Sequence, residues 1–125
     1  MNHFAFSSTG SEATLRAIRI ARAHTDKKNR DIWSRWHGSH DLLMVEEDPK
    51  SHSHRPTGFL KSAGTLPNVL EQAVMLPYNP EAAFYLIKEQ AATLAMVFVE
   101  PLQGSNPQGD IKYFLQELRG LCDKH

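Results

Sequence analysis

The sequence predicts an α/β fold in which crossover helices join the strands of a parallel sheet. Three observations support this prediction. Helical and strand patterns alternate along the chain, which is typical of βαβ units. Residues 94–99 form a near-continuous apolar run, as expected for a strand that is buried on both faces. The length of 125 residues allows at most one domain, residues 1–125, with a substantial core.

The first element is a helix over residues 11–24, and its start is well specified. Thr9 and Glu12 have the spacing of a capping box, and Glu12 precedes Arg16 by four residues, the favourable order for a helix ion pair. We call residues 9–13, Thr-Gly-Ser-Glu-Ala, the N-terminal turn. Its small residues let the backbone approach an anion, which the unpaired amides and the dipole of the helix attract. The alternative interpretation is an ordinary capped surface helix.

The remaining elements follow from turn residues, apolar runs and helical periodicity. In chain order, we predict a strand over 30–35, a possible short helix over 39–46, a long loop over 47–66, a strand over 69–76, a helix over about 80–90, a strand over 94–99 and a final helix from Gly109 or Asp110 to 124. The loop is rich in Pro, Gly, Ser, His and Lys. Loops of that length inside compact domains are usually functional or mobile.

Charge and composition argue against several classes of partner. The 14 Lys and Arg residues balance 14 Asp and Glu residues, and no basic stripe with interleaved aromatic residues suggests a nucleic acid. No apolar run approaches the ~20 residues that a membrane span needs. No secretory signal is visible at the N-terminus. The single cysteine, Cys122, excludes an internal disulfide and fits a reducing compartment, so we expect a cytoplasmic protein.

The histidines do not predict a metal site. His37 and His40 are three residues apart, and His52 and His54 are two apart, so four imidazoles could in principle gather around an ion. However, no spacing matches a known metal signature, and the second pair lies in the polar loop. Solvated loop histidines are the simpler interpretation.

Four ordered segments carry a resemblance to a known family. Residues 6–23 strongly resemble the phosphate-binding segment of the class III, pyridoxal-phosphate-dependent aminotransferases, and in particular the glutamate-1-semialdehyde aminomutase type. Residues 36–38 (Trp-His-Gly), 76–79 (Leu-Pro-Tyr-Asn) and 97–104 (Val-Phe-Val-Glu-Pro-Leu-Gln-Gly) match in the same order and at similar spacing. The resemblance therefore covers nearly the whole chain, and four ordered matches are far more specific than one.

The resemblance implies a cofactor, pyridoxal 5'-phosphate, and residues that would bind it. Gly10 and Ser11 would bind its phosphate through backbone amides and the Ser11 hydroxyl, although the family usually has Ser-Gly-Thr where this chain has Thr-Gly-Ser. Trp36 would stack on the pyridine ring, where the family often has Tyr or Phe. His37 would shape the turn and line the pocket, and Glu100 would lie beside the cofactor. The alternatives are that Trp36 packs into the core and that Glu100 caps the turn after its strand.

The resemblance also implies that essential groups are missing. Pyridoxal-phosphate chemistry needs a Schiff-base lysine and an acidic partner for the ring nitrogen, and in the family both follow the segment that ends this chain. The lysines of the chain fall in predicted turns, loops, helix surfaces or the terminus, at positions 27, 28, 50, 61, 88, 112 and 124. We therefore expect an internal piece of the large domain of a fold-type I transferase, a partial parallel-sheet sandwich, with no catalytic residue and no transaminase activity alone.

The partners follow from the same resemblance. The intact relative would act on an amino acid or keto acid, and this chain would form a homodimer or pair with a full-length relative. Two non-catalytic alternatives remain open. One is a module that binds phosphorylated ligands without reacting them, and the other is a dimer-interaction module derived from the family.

Overall fold

The computed structural model describes residues 3–33, 36–52, 54–77, 79–102 and 111–125, with backbone only for 29–33. The helices and strands of these residues are α1 (Gly10–Thr25), β1 (Asn29–Trp33), β2 (Val45–Glu47), β3 (Gly58–Leu60), β4 (Ala73–Met75), α2 (Pro80–Gln90), β5 (Leu94–Val99) and α3 (Lys112–Lys124). Two 3₁₀ helices, Asp41–Leu43 and Pro67–Gln72, precede β2 and β4.

The main sheet has three parallel strands in the order β4-β1-β5. Ile32 of β1 pairs with Met75 of β4, and Trp33 of β1 pairs with Val99 of β5. The chain passes from β1 to β4 on one side and then crosses through α2 to β5 on the other side of β1. Because the strands are parallel, their carboxyl ends all meet at one edge of the sheet. We call this edge the carboxyl edge.

Helices cover both faces of this sheet. Met96 and Phe98 of β5 contact a core that contains Ile18 of α1, whereas Val97 and Val99 contact a second core. The buried residues of the second core come from α2, α3 and the strand ends, and they are Leu76, Ala83, Leu86, Ile87, Leu94, Phe114, Leu118 and Leu121. This alternation confirms the prediction that residues 94–99 face apolar layers on both sides. Five of the six side chains remain half-buried, because β5 pairs only with β1 among the described residues.

Local capping explains why α2 begins where it does. The Asn79 side chain accepts a hydrogen bond from the Ala82 amide at 3.0 Å, and Pro80 occupies the first helical position. Phe84 of α2 stacks on Phe114 of α3, with ring centroids 5.2 Å apart. The helix predicted over 80–90 is therefore confirmed, and its packing on α3 completes the second core.

Several predicted elements are confirmed and others are wrong. The helix predicted over 11–24 is α1, and the strand predicted over 30–35 is β1, although positions 34 and 35 lie outside the described residues. The short helix predicted over 39–46 is wrong, since a three-residue 3₁₀ helix and then β2 occupy this stretch. Most of the strand predicted over 69–76 is also wrong, because residues 67–72 are 3₁₀ and only three residues pair in the sheet.

A small antiparallel pair accounts for the first of these errors. Val45 of β2 pairs with Leu60 of β3, and β3 lies within the stretch 47–66 for which a loop is predicted. Val45 is buried in the first core together with Leu43 and Met75. Pairing between segments that are distant along the chain, rather than local helix preference, decides the conformation of residues 45–47. The final helix begins at Lys112, and its predicted start at 109 or 110 lies outside the described residues.

Candidate functional site

The N-terminal turn begins α1 with the predicted cap. The Thr9 hydroxyl accepts a hydrogen bond from the Glu12 amide at 3.1 Å. The Glu12 carboxylate in turn accepts from the Ser8 amide at 2.9 Å, one residue before the usual capping-box position, and it pairs with Arg16 at 2.5 Å. The Ser8 amide and then Arg16 lower the pKa of the Glu12 carboxyl. These contacts define where the helix starts and therefore where its first amides lie.

The amides of Gly10 and Ser11, the first two helical residues, have no acceptor within the helix. A Cβ atom at Gly10 would meet nothing within 4 Å, and Gly10 does not have the positive φ that favours glycine. No described residue therefore requires glycine at this position, although glycine is disfavoured in helices by roughly 0.5–1 kcal/mol. The space in front of Gly10 is open, so the first amides of α1 are accessible to an anion.

Residues 36–40 lie directly against the N-terminal turn. Gly38 has a φ of +133°, and a Cβ atom there would lie 3.1 Å from Ser11 Cα and 3.0 Å from Thr14 Oγ1. The Ser39 amide donates a hydrogen bond to Ser11 Oγ at 3.0 Å, across 28 residues of sequence. Two of the segments that carry the family resemblance, residues 6–23 and 36–38, are therefore in contact.

A second contact joins the same two segments. Thr14 Oγ1 lies 3.0 Å from the Ser11 carbonyl, 3.2 Å from the Gly10 carbonyl and 3.3 Å from His40 Nε2. A threonine hydroxyl has one proton to donate, and its oxygen can also accept. Which of Thr14 and His40 is the donor in their contact depends on the tautomer of the imidazole. The Thr14–His40 contact thus holds residues 38–40 beside the first turn of α1.

Trp36 lies at the surface, two residues before the junction, as we call the contacts of residues 38–40 with the first turn of α1. The residue is 53% exposed, so the alternative that Trp36 packs into the core is wrong. Lys61 Nζ lies 5.4 Å from the centroid of the indole and forms an ion pair with Glu46 on β2. Lys61 directly follows β3, which pairs with β2, the strand that carries Glu46. An exposed aromatic face can accept a flat ring.

His37 and Glu100 connect this junction to the carboxyl edge. The His37 imidazole lies 5.3 Å from the ring of Phe98, centroid to centroid, at an angle of 38°. Glu100 is half-buried and directly follows Val99, the last residue of β5. Ligands of α/β sheets bind beyond the carboxyl ends of the strands. His37 and Glu100 therefore both lie near the carboxyl end of β5.

The other matched segments lie partly at the same edge. Leu76 and Pro77 follow β4 and are buried, and Asn79 caps α2. Tyr78 and residues 103–104 lie outside the described residues. Sequence reasoning missed three residues of the junction, namely Thr14, Ser39 and His40. Their contacts join positions 26 to 28 residues apart, and no local pattern marks them.

Two lysines have informative positions. Lys27 Nζ donates hydrogen bonds to the Ala91 carbonyl at 2.7 Å and to the His125 carbonyl at 3.2 Å. These bonds join the carboxyl ends of all three helices, at the edge of the sheet opposite to the carboxyl edge. Lys61, in contrast, lies beside Trp36. Within the described part of the chain, no three His, Cys, Asp or Glu side chains are grouped to hold a metal ion, and no helix is long and apolar enough to span a bilayer.

Relatives of known function match the chain over most of its length. The glutamate-1-semialdehyde 2,1-aminomutase of Desulforamulus reducens is 33% identical over 121 residues, which are 94% of this chain and 27% of that protein. An omega-transaminase from Sphaerobacter thermophilus superimposes with a TM-score of 0.84 at 28% identity, over 94% of this chain and 28% of that one. The chain matches one segment of the class III aminotransferases. The resemblance to the glutamate-1-semialdehyde aminomutase type and the partial α/β fold of a fold-type I transferase are thereby confirmed.

Further relatives agree on this aminotransferase match. The Pyrobaculum arsenaticum protein named glutamate-1-semialdehyde 2,1-aminomutase is 39% identical over 104 residues, which are 78% of this chain and 23% of that protein. A solved structure of a transaminase with bound pyridoxal phosphate has a TM-score of 0.78 at 27% identity, over 94% of this chain and 28% of its own. No model of a known protein family matches the chain. The chain thus spans about a quarter of the length of these aminotransferase relatives.

Proposed function

We propose that the chain supplies the phosphate-binding turn and the ring-stacking face of a pyridoxal-phosphate-dependent aminotransferase or aminomutase similar to glutamate-1-semialdehyde aminomutase. One observation supports this most strongly. Gly38 and Ser39 pack on the first turn of α1, where the space at Gly10 is open, and the exposed Trp36 comes two residues before Gly38 in the chain. These are the segments in which the chain resembles the family.

Each residue has a physical role in this proposal. The amides of Gly10 and Ser11 and the Ser11 hydroxyl donate hydrogen bonds to the cofactor phosphate, which the positive end of the α1 dipole also attracts. Trp36 offers its indole face to the pyridine ring, with a stacking gain of about 0.5–1.5 kcal/mol. His37, which Phe98 supports, forms the wall beside the ring, and Glu100 lies at the carboxyl edge near the substrate. Bound pyridoxal phosphate would supply the electron sink for making and breaking carbon–nitrogen bonds.

The described residues do not supply the covalent anchor in this proposal. Lys27 binds two carbonyl groups on the far side of the sheet, and Lys61 is paired with Glu46. We infer that the 125-residue chain binds the cofactor without catalysing transamination. The intact relative would act on an amino acid or keto acid, as a homodimer or in a pair with a full-length relative.

Titration of the chain with pyridoxal phosphate tests this function, with inorganic phosphate as competitor. Gly10→Val should abolish phosphate-sensitive binding, because the side chain enters the space in front of the first amides. Gly120→Val is the matched control, since Gly120 is also helical and a Cβ atom there would meet nothing within 4 Å, but it lies on α3. Equal affinity of the two variants, or wild-type binding that phosphate does not compete with, would show the proposal to be wrong.

Two further measurements separate the ring site and the missing anchor. Trp36→Ala should weaken cofactor binding more than Trp36→Phe, because only phenylalanine keeps an aromatic face. Borohydride treatment of the cofactor complex, followed by mass spectrometry, should give no covalent adduct on a lysine. An adduct at Lys61 would contradict the inference that the chain lacks its anchor.

A further inference from the structure

The hydroxyl of Ser11 has two polar neighbours on the segment that packs against it. The Ser39 amide lies 3.0 Å from Ser11 Oγ, and Ser39 Oγ lies 3.2 Å from the same atom. A hydroxyl accepts through two lone pairs and donates through one proton. The Ser39 amide is only a donor, so it fills one lone pair of Ser11 Oγ.

In the hydrogen bond between the Ser11 and Ser39 hydroxyls, either hydroxyl can be the donor in the free chain. A phosphate in front of Gly10 and Ser11 removes this freedom. A phosphate dianion only accepts, so the hydroxyl that faces it must donate. Ser11 can do so while its oxygen accepts from both the amide and the hydroxyl of Ser39. The proton of Ser11 is then directed to the anion.

The surrounding contacts hold Ser39 in this position. Gly38 lies so close to Ser11 that a Cβ atom would be 3.1 Å from Ser11 Cα, and Thr14 binds His40 on the other side. The preceding and following residues of Ser39 are therefore both anchored to α1. This arrangement gives Ser39 a defined place although its side chain is exposed.

We propose that Ser39 is a positioning residue of the phosphate site, which orients the Ser11 hydroxyl as a donor to the phosphate. The proposal rests on the proposed function and extends it to a residue outside the matched segments. In this arrangement Ser39 Oγ donates a hydrogen bond to Ser11 Oγ, and Ser11 Oγ donates one to the anion. We call these two bonds the relay. Bonds in such a chain polarise and strengthen one another.

The ratio of affinities for pyridoxal phosphate and pyridoxal, which lacks the phosphate, tests this proposal on the 125-residue chain. Ser39→Ala keeps the amide but removes the hydroxyl, and should lower this ratio by about three- to ten-fold, the size of one hydrogen bond. Affinity for pyridoxal itself should not change. Ser39→Thr keeps the hydroxyl and should restore the ratio. Ser62→Ala is the control, because Ser62 is exposed and its hydroxyl donates to the adjacent Ala63 carbonyl in the turn after β3.

The outcomes distinguish this proposal from the function on which it rests. A wild-type ratio of one would overturn both. A wild-type ratio above one that Ser39→Ala leaves unchanged, or an equal loss of affinity for both ligands, would overturn the role of Ser39 alone. Amide hydrogen exchange gives a test without ligand. Ser11→Ala should speed exchange of the Ser39 amide, and an unchanged rate would show that the bond on which the relay depends is absent.

Discussion

Replacement of Gly38 by alanine should destabilise the protein more than any substitution of an exposed glycine. Gly38 has a φ of +133°, a conformation that L-residues rarely adopt. A Cβ atom added there would lie 3.1 Å from Ser11 Cα and 3.0 Å from Thr14 Oγ1. The backbone of a helix cannot rotate out of the way as a flexible side chain can, so residues 36–40 must move away from α1.

The magnitude has two parts. A residue held at an unfavourable φ costs about 1–3 kcal/mol. Inserting a methyl group into a packed contact costs about another 1–3 kcal/mol. The free energy of unfolding should therefore fall by about 2–6 kcal/mol if the two costs add. Because marginally stable domains have only about 5–15 kcal/mol in total, the variant should be clearly weakened.

Gly64→Ala isolates the conformational part of this cost. Gly64 has a φ of +93°, but a Cβ atom there would meet nothing within 4 Å. Its substitution should cost only about 1–3 kcal/mol. Urea unfolding of both variants and the wild type, followed by circular dichroism, measures the difference, provided that the slope m is unchanged. Equal unfolding free energies for the two variants would refute the close approach of Gly38 to α1.

Three further predictions concern the start of α1 and the small antiparallel pair. Thr9→Ala should lower the free energy of unfolding in urea by about 1 kcal/mol through loss of the N-cap, and an unchanged value would contradict the cap. The hydrogen bond from the Ser8 amide lowers the pKa of Glu12 in the folded state. The stabilising contribution of the Glu12 carboxylate is therefore present above the unfolded pKa of about 4.3 and is lost as the pH falls through the lower folded pKa. Urea midpoints measured across this pH range should fall less for Glu12→Gln than for the wild type. Gly58→Ala places a Cβ 2.7 Å from Val45 Cγ1 and should cost about 1–3 kcal/mol, and a thermal midpoint equal to that of the wild type would contradict this packing.

Elements that depend on near neighbours in the sequence were predictable. The cap of α1 needs only Thr9 and Glu12, three residues apart, and the start of α2 needs only Asn79 and Pro80. The apolar run of β5 is long enough to mark a strand in any α/β context. In each case, the residues that decide the conformation lie within a few positions of the element itself.

Elements that depend on distant pairing were not predictable in the same way. Residues 45–47 become a strand because Val45 pairs with Leu60 and is buried in the first core, against which Leu60 also packs. Residues 67–72 form a 3₁₀ helix that places Val69 in the first core. Burial in a core built from several segments overrides the local preferences of such short stretches.

The candidate site likewise combines local features, which the sequence predicts, with contacts between distant segments, which it does not predict. The amino-acid pattern was sufficient for the capped helix start with a glycine and a serine, for the helices and strands of strongest periodicity, and for the resemblance to class III aminotransferases. The folded chain was needed to show that Gly38, Ser39 and His40 lie on that helix start and that Trp36 is exposed beside Lys61. This division arises because a cap is made by residues within one turn, whereas these contacts require the chain to return to α1 after β1.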